Sequence, residues 1–229
     1  MKKLTVLFAI FTISVAGFSQ AHLGFKAGIN FSKLTDKPYY STESNNIKPK
    51  YEPGLTYGIV GDIAVTDIFF MQLEVLYSQL GVRYDLPASL PNSEVPQTNS
   101  PGGTLTKNYN TLQIPLVAKF TTYERKVTWY FDVGFFWAYF IDGKYTLTST
   151  DNSIDEAGDI SFDEFQREDF GFVLGLGLGT KLGKNMSWSL NLRYNRGVID
   201  LNTDHGNQIA DYVPTTTRGL SATLILFVL

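Results

Sequence analysis

Residues 170–181 read FGFVLGLGLGTK, and this stretch decides the fold. Large apolar side chains occupy every even position from 170 to 178, and glycine occupies positions 171, 175, 177 and 179. Because successive side chains of a β-strand point to opposite faces, the alternation predicts a strand with one bulky apolar face. The glycine face would leave room for bulky groups of neighbouring strands inside a curved sheet, and we expect Tyr130 and Phe136 to use that room.

The same alternation, with a period of two residues, occurs in seven further segments. They lie at about residues 24–31, 55–65, 69–78, 111–120, 128–137, 187–195 and 218–229. Short turns near residues 66–67, 121–126 and 183–185 alternate with long polar connections at about 34–51, 85–108, 142–168 and 199–216. Short turns on one rim and long loops on the other are typical of membrane barrels. The pattern predicts an all-β, eight-stranded, antiparallel up-and-down transmembrane β-barrel; ten strands would require two more within the long loops.

The polar faces of these segments carry about one charged residue per strand. A soluble barrel would show the same alternation, but its water-facing exterior would be about 25–35% charged. We therefore expect the apolar face to contact lipid and the polar face to line a narrow lumen. Closure would then pair every backbone polar group, as hydrocarbon requires. The charged residues expected in the lumen are Lys26, Asp62, Glu74, Lys119, Asp132, Lys181 and Arg193.

These charges nearly balance, with four positive and three negative groups, all in the half of the barrel near the short turns. An unpaired charge is costly in a low-dielectric interior, so we expect a hydrogen-bonded ion network. The interior of an eight-stranded barrel is just wide enough for its own side chains to fill. A plugged lumen is therefore the leading prediction, and a gated, narrow polar path is the alternative.

Aromatic residues are placed near both ends of the predicted strands. Transmembrane barrels carry aromatic girdles at the two membrane interfaces. The general preference of aromatic residues for strands is the alternative explanation. We expect one girdle near the short turns, from Phe69, Trp129 and Trp188, and one toward the long loops, from Tyr57, Tyr77, Tyr84, Trp137 and Tyr139.

The composition of the 229 residues excludes several kinds of site. The absence of cysteine excludes a disulfide scaffold, thiolate zinc and iron–sulfur clusters. With two histidines, a histidine-rich metal site is excluded as well, and we expect no metal and no cofactor. Charged residues make up 18% of the chain, below the usual level of about 25%, which suits a lipid-facing barrel.

Residues 1–19 have the form of a secretory signal peptide, which leaves residues 20–229 as the barrel domain. Lys2 and Lys3 precede an apolar run from Leu4 to Ala16, and small residues lie before a cleavage site at Gln20. The alternative interpretation is a retained membrane anchor. The apolar run is shorter than the roughly 20 residues that a membrane-spanning helix needs, which favours the signal peptide. The mature chain would carry 17 basic and 22 acidic residues, which disfavours binding to nucleic acid.

Three other features of the sequence need an interpretation. We expect a solvated loop histidine at Asp204-His205, and a loop-borne hydrolase with His205 as general base is the alternative. Residues 142–169 carry nine acidic and two basic residues, and we expect a solvated loop there. The chain is apolar to its last residue, so the final segment should pair with the first strand. Phe227 and Leu229 are the candidates for a C-terminal signal read by outer-membrane assembly machinery.

Four segments, in order along the chain, resemble the PorT-like, porin-like family of outer-membrane β-barrels. Residues 24–32 resemble its G-x-K-x-G-x-N-x-S strand and residues 72–81 its Q-x-E-x-x-Y-S-x-x-G strand. Residues 112–116 resemble its L-x-I-P-L strand, in which Pro115 departs from the rule against proline inside strands, and residues 193–197 its R-Y-x-x-G strand. The resemblance implies an eight-stranded barrel without cofactor or assigned catalysis, and for some members a link to secretion or gliding machinery.

The leading functional hypothesis is a small, non-enzymatic, integral outer-membrane barrel of a Gram-negative envelope, with a structural or interaction role. Its expected partners are outer-membrane lipid, lipopolysaccharide, the assembly machinery and an envelope protein that the sequence does not identify. The main alternative is a narrow passive channel for small solutes.

Overall fold

The computed structural model describes residues 21–35, 47–86, 102–123, 127–150, 155–162, 165–202 and 215–228. These ranges contain nine strands and no helix long and apolar enough to cross a membrane. The strands are β1 (Ala21–Thr35), β2 (Lys50–Ala64), β3 (Phe69–Leu86), β4 (Gly103–Tyr123), β5 (Thr128–Ser149), β6 (Asp155–Asp159), β7 (Glu168–Lys181), β8 (Met186–Gly197) and β9 (Thr216–Val228).

Eight of these strands close into a ring of antiparallel neighbours. The order around the ring is β1, β2, β3, β4, β5, β7, β8 and β9, and β9 pairs again with β1. The closing ladder runs from the pair Leu23–Val228 to the pair Thr35–Thr216. The predicted eight-stranded, antiparallel up-and-down barrel is confirmed. Strand β6 lies outside the ring and pairs with residues 144–148 of β5.

The ring is apolar outside and polar inside over most of its height. The outward side chains of Phe25 and Leu176 are 67% and 64% exposed, whereas the inward carboxylates of Glu74 and Asp132 are fully buried. A water-soluble domain has the opposite arrangement. The distribution therefore suits a barrel whose outer surface contacts hydrocarbon.

Two of the predicted short turns lie within the described residues, and both are confirmed. The hydroxyl oxygen of Thr66 accepts hydrogen bonds from the backbone N–H groups of Ile68 (3.4 Å) and Phe69 (3.1 Å) between β2 and β3. Between β7 and β8, Gly183 has a φ of 76°, a conformation that glycine adopts without steric cost. These turns define the short-turn end of the barrel; the opposite end is called the long-loop end.

The strands at the long-loop end continue farther than predicted. The expected loops at 85–108 and 142–168 were wrong for residues 103–108, 142–149 and 155–159, which are strand. The reason is that β3, β4 and β5 remain paired, with register pairs as far as Leu86–Gly103 and Gly103–Ser149. In water a sheet accommodates polar Thr, Lys and Tyr residues, so the loss of apolar character does not end a strand. The Asp204-His205 pair lies outside the described residues.

Strand β3 reverses its polarity along its length. Near the short turns its inward side chains include Gln72 and Glu74, while its outward side chains are apolar. Toward the long loops the inward residues Val82 and Tyr84 are apolar and buried, and outward Arg83 is exposed. A membrane-spanning strand needs about 9–11 residues, and β3 has 18. The part of β3 nearest the long-loop end therefore extends beyond the hydrocarbon.

Pro115 interrupts one ladder of the barrel at mid-height. The register between β3 and β4 pairs Leu73 with Leu116 and next pairs Leu76 with Gln113, so the two intervening positions are unpaired. Proline has no backbone N–H to donate, which explains the gap. On its other side Pro115 keeps its place in the β4–β5 ladder opposite Phe136. The sheet therefore tolerates the proline with a gap in only one ladder, next to Glu74.

Candidate functional site

Six of the seven charged residues expected in the lumen lie inside the barrel. Each comes from a different strand, and each residue is at most 7% exposed. Three are cations and three are anions, so their formal charges cancel. We call this set the ionic cluster: Lys26 on β1, Asp62 on β2, Glu74 on β3, Lys119 on β4, Asp132 on β5 and Arg193 on β8.

Glu74 and Arg193 form the centre of the ionic cluster. Nη1 of Arg193 lies 2.8 Å from Oε1 of Glu74. Strands β3 and β8 are four places apart in the ring of eight, so this ion pair crosses the full width of the barrel. Nζ of Lys26 lies 3.0 Å from Oε2 of Glu74, and Nη2 of Arg193 lies 3.1 Å from Oδ2 of Asp132. The interior is thus bridged by side chains at this height.

A second ion pair continues the ionic cluster toward the short turns. Nζ of Lys119 contacts the carboxylate of Asp62 and donates to Oε1 of Gln72 at 3.2 Å. The amide nitrogen of Gln72 donates in turn to Glu74, so the two halves of the cluster are joined. The Lys119 ammonium also lies 5.1–5.5 Å from the ring centroids of three aromatic side chains, within range of cation–π attraction. They are Phe70, Tyr130 and Phe227.

The glycines of β7 make room for this packing. A Cβ atom added at Gly177 would lie 2.1 Å from the Tyr130 ring, and one at Gly171 would lie 2.5 Å from the Phe136 ring. At Gly175 an added Cβ would lie 2.2 Å from Oδ1 of Asp132. The expectation that Tyr130 and Phe136 use the space over these glycines is confirmed, because no larger residue fits at those positions.

Two charged residues lie where the sequence pattern did not place them. Lys181 is exposed at the last position of β7, and the structure does not bring it to the ionic cluster. Because β7 ends at the rim of the barrel, a side chain on the inward face at this position reaches the open mouth and stays exposed. Asp169, which we counted within a solvated acidic loop, is buried near the start of β7, where it accepts a hydrogen bond of 2.5 Å from the hydroxyl of Thr217.

A second packed region closes the long-loop end of the barrel, and the sequence analysis did not anticipate it. Tyr109 stacks on Phe165 with ring centroids 5.6 Å apart, and Phe140 meets both rings edge-on. Phe165 belongs to the connection after β6, so this segment folds back into the barrel mouth. We call the buried set the apolar cluster: Leu34, Ile47, Leu80, Val82, Tyr84, Tyr109, Phe140 and Leu201. Tyr84, which we expected in a lipid-facing girdle, belongs to this cluster and is fully buried.

Little space remains between the two clusters. A cavity of about 30 Å³, lined among others by Asn30, Leu80 and Arg193, separates them. This volume holds about one or two water molecules. A wider depression of about 520 Å³ opens at the short-turn end, and its lining includes Asp62, Lys119 and Lys181.

Seven of the eight aromatic residues expected in the girdles project from the outer face, and Tyr84 is the exception. Trp129 and Tyr57 are 53% and 50% exposed. Tyr57 pairs with Tyr77 across the β2–β3 ladder, and Leu112 lies between Tyr77 and Tyr139 in the next two ladders. The remaining members, Phe69, Trp137 and Trp188, are partly exposed.

Two members of the polar network were missed because only charges were weighed. Gln72 and Asn191 lie on the polar faces of their strands, two positions from Glu74 and Arg193 respectively. Asn191 donates to Asp132 at 2.9 Å. The period-2 pattern alone would have found both. Among the described residues, no group of three or more His, Cys, Asp or Glu side chains could hold a metal ion.

Comparison with known protein families gives a match over most of the chain. A family model described as outer membrane protein beta-barrel domain matches residues 17–202. No curated protein matches the sequence.

Solved structures similar to this chain include three bacterial surface or outer-membrane proteins. Neisserial surface protein A is 13% identical, with 90% of this chain and 98% of that chain covered and a TM-score of 0.44. OprG from Pseudomonas aeruginosa is 11% identical, with coverages of 91% and 93% and a TM-score of 0.47. Ail, the attachment invasion locus protein of Yersinia pestis, is 12% identical, with coverages of 91% and 99% and a TM-score of 0.35.

Proposed function

The chain belongs to the outer membrane protein beta-barrel domain family, and on that premise we propose that it is an integral outer-membrane barrel with a filled interior. In this proposal its long loops face the outside of the cell. Its role is structural or one of interaction with other molecules, without catalysis. The barrel anchors these loops in the membrane, and solutes do not pass through it.

The observation that carries this proposal is the ion pair between Glu74 and Arg193. It joins opposite walls of the barrel at 2.8 Å, and both side chains are at most 4% exposed. Opening a path would require moving at least one of these charges away from its partner within a low-dielectric interior, which is unfavourable. The apolar cluster forms a second obstruction on the long-loop side.

Planar-bilayer recording of the purified, refolded protein tests the filled interior. We expect no steady single-channel steps at a protein concentration at which an open porin, recorded as the positive control, conducts. Gel mobility that shifts on heating shows independently that the added protein is folded. Regular steps from the folded, unaltered protein would contradict a filled interior and support the channel.

The narrow passive channel remains the second candidate because empty space flanks the central ion pair on both sides. The depression of about 520 Å³ reaches Lys119 from the short-turn end, and the cavity of about 30 Å³ lies beyond Arg193. In that case the conductance would depend on Glu74. A Glu74→Gln variant would conduct more than the unaltered protein if the ion pair restricts a path.

Export is part of the same proposal. Residues 1–19 act as a cleaved signal peptide, and residues 20–229 form the mature barrel domain. Mass spectrometry of protein recovered from outer membranes is expected to find Gln20 at the amino terminus. A retained Met1 would contradict cleavage.

Lipid and assembly contacts complete the proposal. The aromatic girdles position the barrel between lipid and lipopolysaccharide head groups, and Phe227 with Leu229 contributes to recognition by the assembly machinery. The inward Phe227 ring, next to Lys119, would serve this recognition only before the barrel closes. We assign the chain to the PorT-like subgroup on its four strand motifs, with an envelope protein as partner.

A further inference from the structure

Strand β6 is the edge strand of the part of the sheet that extends beyond the membrane. It is the terminal strand in the sheet order, and its five residues pair with residues 144–148 of β5. On its other side β6 has no partner strand within the described part of the chain. The unpaired backbone groups of an edge strand form a template for a further strand.

The hydrogen-bond pattern shows which backbone groups of β6 face outward. The N–H of Ile160 donates to the carbonyl of Gly143 at 2.8 Å, so the backbone of Ile160 faces β5. Residues whose backbone faces the partner strand alternate along an antiparallel ladder. Gly158 and Glu156 therefore face β5 in the same way, and the N–H and C=O groups of Asp155, Ala157 and Asp159 point away from it.

The outer edge of β6 is strongly acidic. Three of its five residues, Asp155, Glu156 and Asp159, are acidic and exposed. The side chains of Asp155 and Asp159 are four residues apart on the same face of the strand, with Ala157 between them. A paired strand with basic residues at the two positions opposite them would gain favourable cross-strand charge pairs.

The edge is held in place by packing at one end. Directly after β6, Ile160 and Phe162 pack against the apolar cluster. Tyr145 of β5 lies over Gly158 and donates a hydrogen bond of 3.0 Å to Glu156. A strand that is already ordered loses less entropy when a partner pairs with it.

We propose that the outer edge of β6 binds an extended basic peptide segment of another protein by adding it to the sheet as a further strand. Backbone groups of Asp155, Ala157 and Asp159 supply the ladder, and the two aspartates select basic residues spaced four positions apart. A second copy of this chain is disfavoured because its own β6 edge would bring like charges together. This inference goes beyond the proposed function, which assigns no binding surface.

The test uses the full chain in detergent micelles and a labelled peptide, acetyl-Thr-Lys-Thr-Val-Thr-Lys-Thr-amide, followed by fluorescence anisotropy. Saturable binding that weakens with added salt is expected, because exposed charge pairs are screened by ions. The same peptide with Glu in place of both Lys residues is expected not to bind.

Two variants at one position separate backbone pairing from charge alone. Ala157→Pro removes one outward N–H and leaves the hydrogen bonds to β5 intact, and proline is tolerated on edge strands. It is expected to weaken binding by up to about tenfold, the equivalent of one hydrogen bond. Ala157→Thr keeps the N–H and serves as the matched control, with binding near that of the unaltered protein. Heat-modifiable gel mobility verifies that both variants are folded.

The charge contribution is tested with the double variant Asp155→Asn, Asp159→Asn, which is expected to weaken binding and reduce its salt dependence. Equal binding of the basic and acidic peptides, or unchanged binding by Ala157→Pro, would overturn the proposal. So would the absence of saturable binding, or self-association of the chain through β6 in sedimentation experiments. None of these outcomes bears on conductance, so this inference and the filled interior fail separately.

Discussion

The ionic cluster and the apolar cluster fill the same barrel at two heights with opposite chemistry. At the membrane-embedded height the interior holds three cations and three anions, and the exterior is apolar. At the long-loop end the interior is built from Phe140, Tyr109 and other apolar side chains, as in a water-soluble protein. Strands β1, β3, β4 and β5 each supply inward side chains to both regions.

The difference shows that the solvent outside decides which side chains the interior contains. Where hydrocarbon surrounds the barrel, apolar residues gain little from facing inward, so the interior accommodates polar side chains beside apolar ones and must pair the charges. Where water surrounds the strands, burial of apolar surface again stabilises the fold. Apart from Leu76, the inward side chains of β3 are polar from Gln72 to Ser78 and apolar from Leu80 to Tyr84, and we expect this change to lie near the edge of the hydrocarbon.

The largest effect is expected from breaking the ionic cluster. Glu74→Ala removes the anion that Lys26 and Arg193 share and leaves buried positive charge without its partner. Removing one partner of a buried ion pair costs about 3–5 kcal/mol. We expect the unfolding midpoint in denaturant, measured by tryptophan fluorescence in micelles, to fall sharply. Glu168→Ala, at an exposed glutamate, is the control and should change little; equal stability of the two variants would show that the cluster does not hold the barrel together.

A smaller and more local effect is expected from opening the apolar cluster. Phe140→Ala deletes a fully buried ring that contacts Tyr109 and Phe165. Loss of a buried phenylalanine costs about 3–5 kcal/mol, and we expect the low end because Phe162 and Ile160 can move into the space. Hydrogen exchange should increase in residues 103–109 and 143–149, while exchange in the membrane-embedded strands stays slow. Unfolding of the whole barrel would show that the two clusters are not separable.

The smallest effect is expected from overfilling the space beside the ionic cluster. In Gly177→Ala the new methyl group would collide with the Tyr130 ring. Overpacking of this kind lowers the free energy of unfolding by about 1–3 kcal/mol. Gly61→Ala is the matched control, because its added Cβ would meet nothing closer than 4.0 Å. Combining Gly177→Ala with Tyr130→Leu should recover part of the loss in a denaturant titration. If the two glycine variants are equally stable, the close packing of β7 is not required.

The period-2 pattern predicts the ring, the turns and the polar interior because each depends on local spacing. Residues 170–181 show this most clearly, since both the apolar face and the glycine face are visible in one stretch. The pattern also indicates Gln72 and Asn191, which were overlooked because an amide carries no charge.

The structure of the long-loop end could not be predicted from the period-2 pattern. Val82 and Tyr84 have the inward parity of Glu74, but nothing local says that water has replaced lipid around them. Phe162 and Phe165 lie within a run of acidic and polar residues, and their packing against Tyr109 depends on contacts across the barrel mouth. Lys181 has inward parity but lies at the last residue of its strand, where parity no longer implies burial.

Closure of the ring by β1 and β9 has a consequence for biogenesis. Thr35 and Thr216, which are 181 residues apart, share a hydrogen bond of 3.1 Å at this seam. Until the seam forms, two strands carry unsatisfied amides that acyl chains cannot solvate. The nascent protein therefore becomes stable in the bilayer only once β1 and β9 have paired, so membrane insertion and closure of the barrel must proceed as a single event.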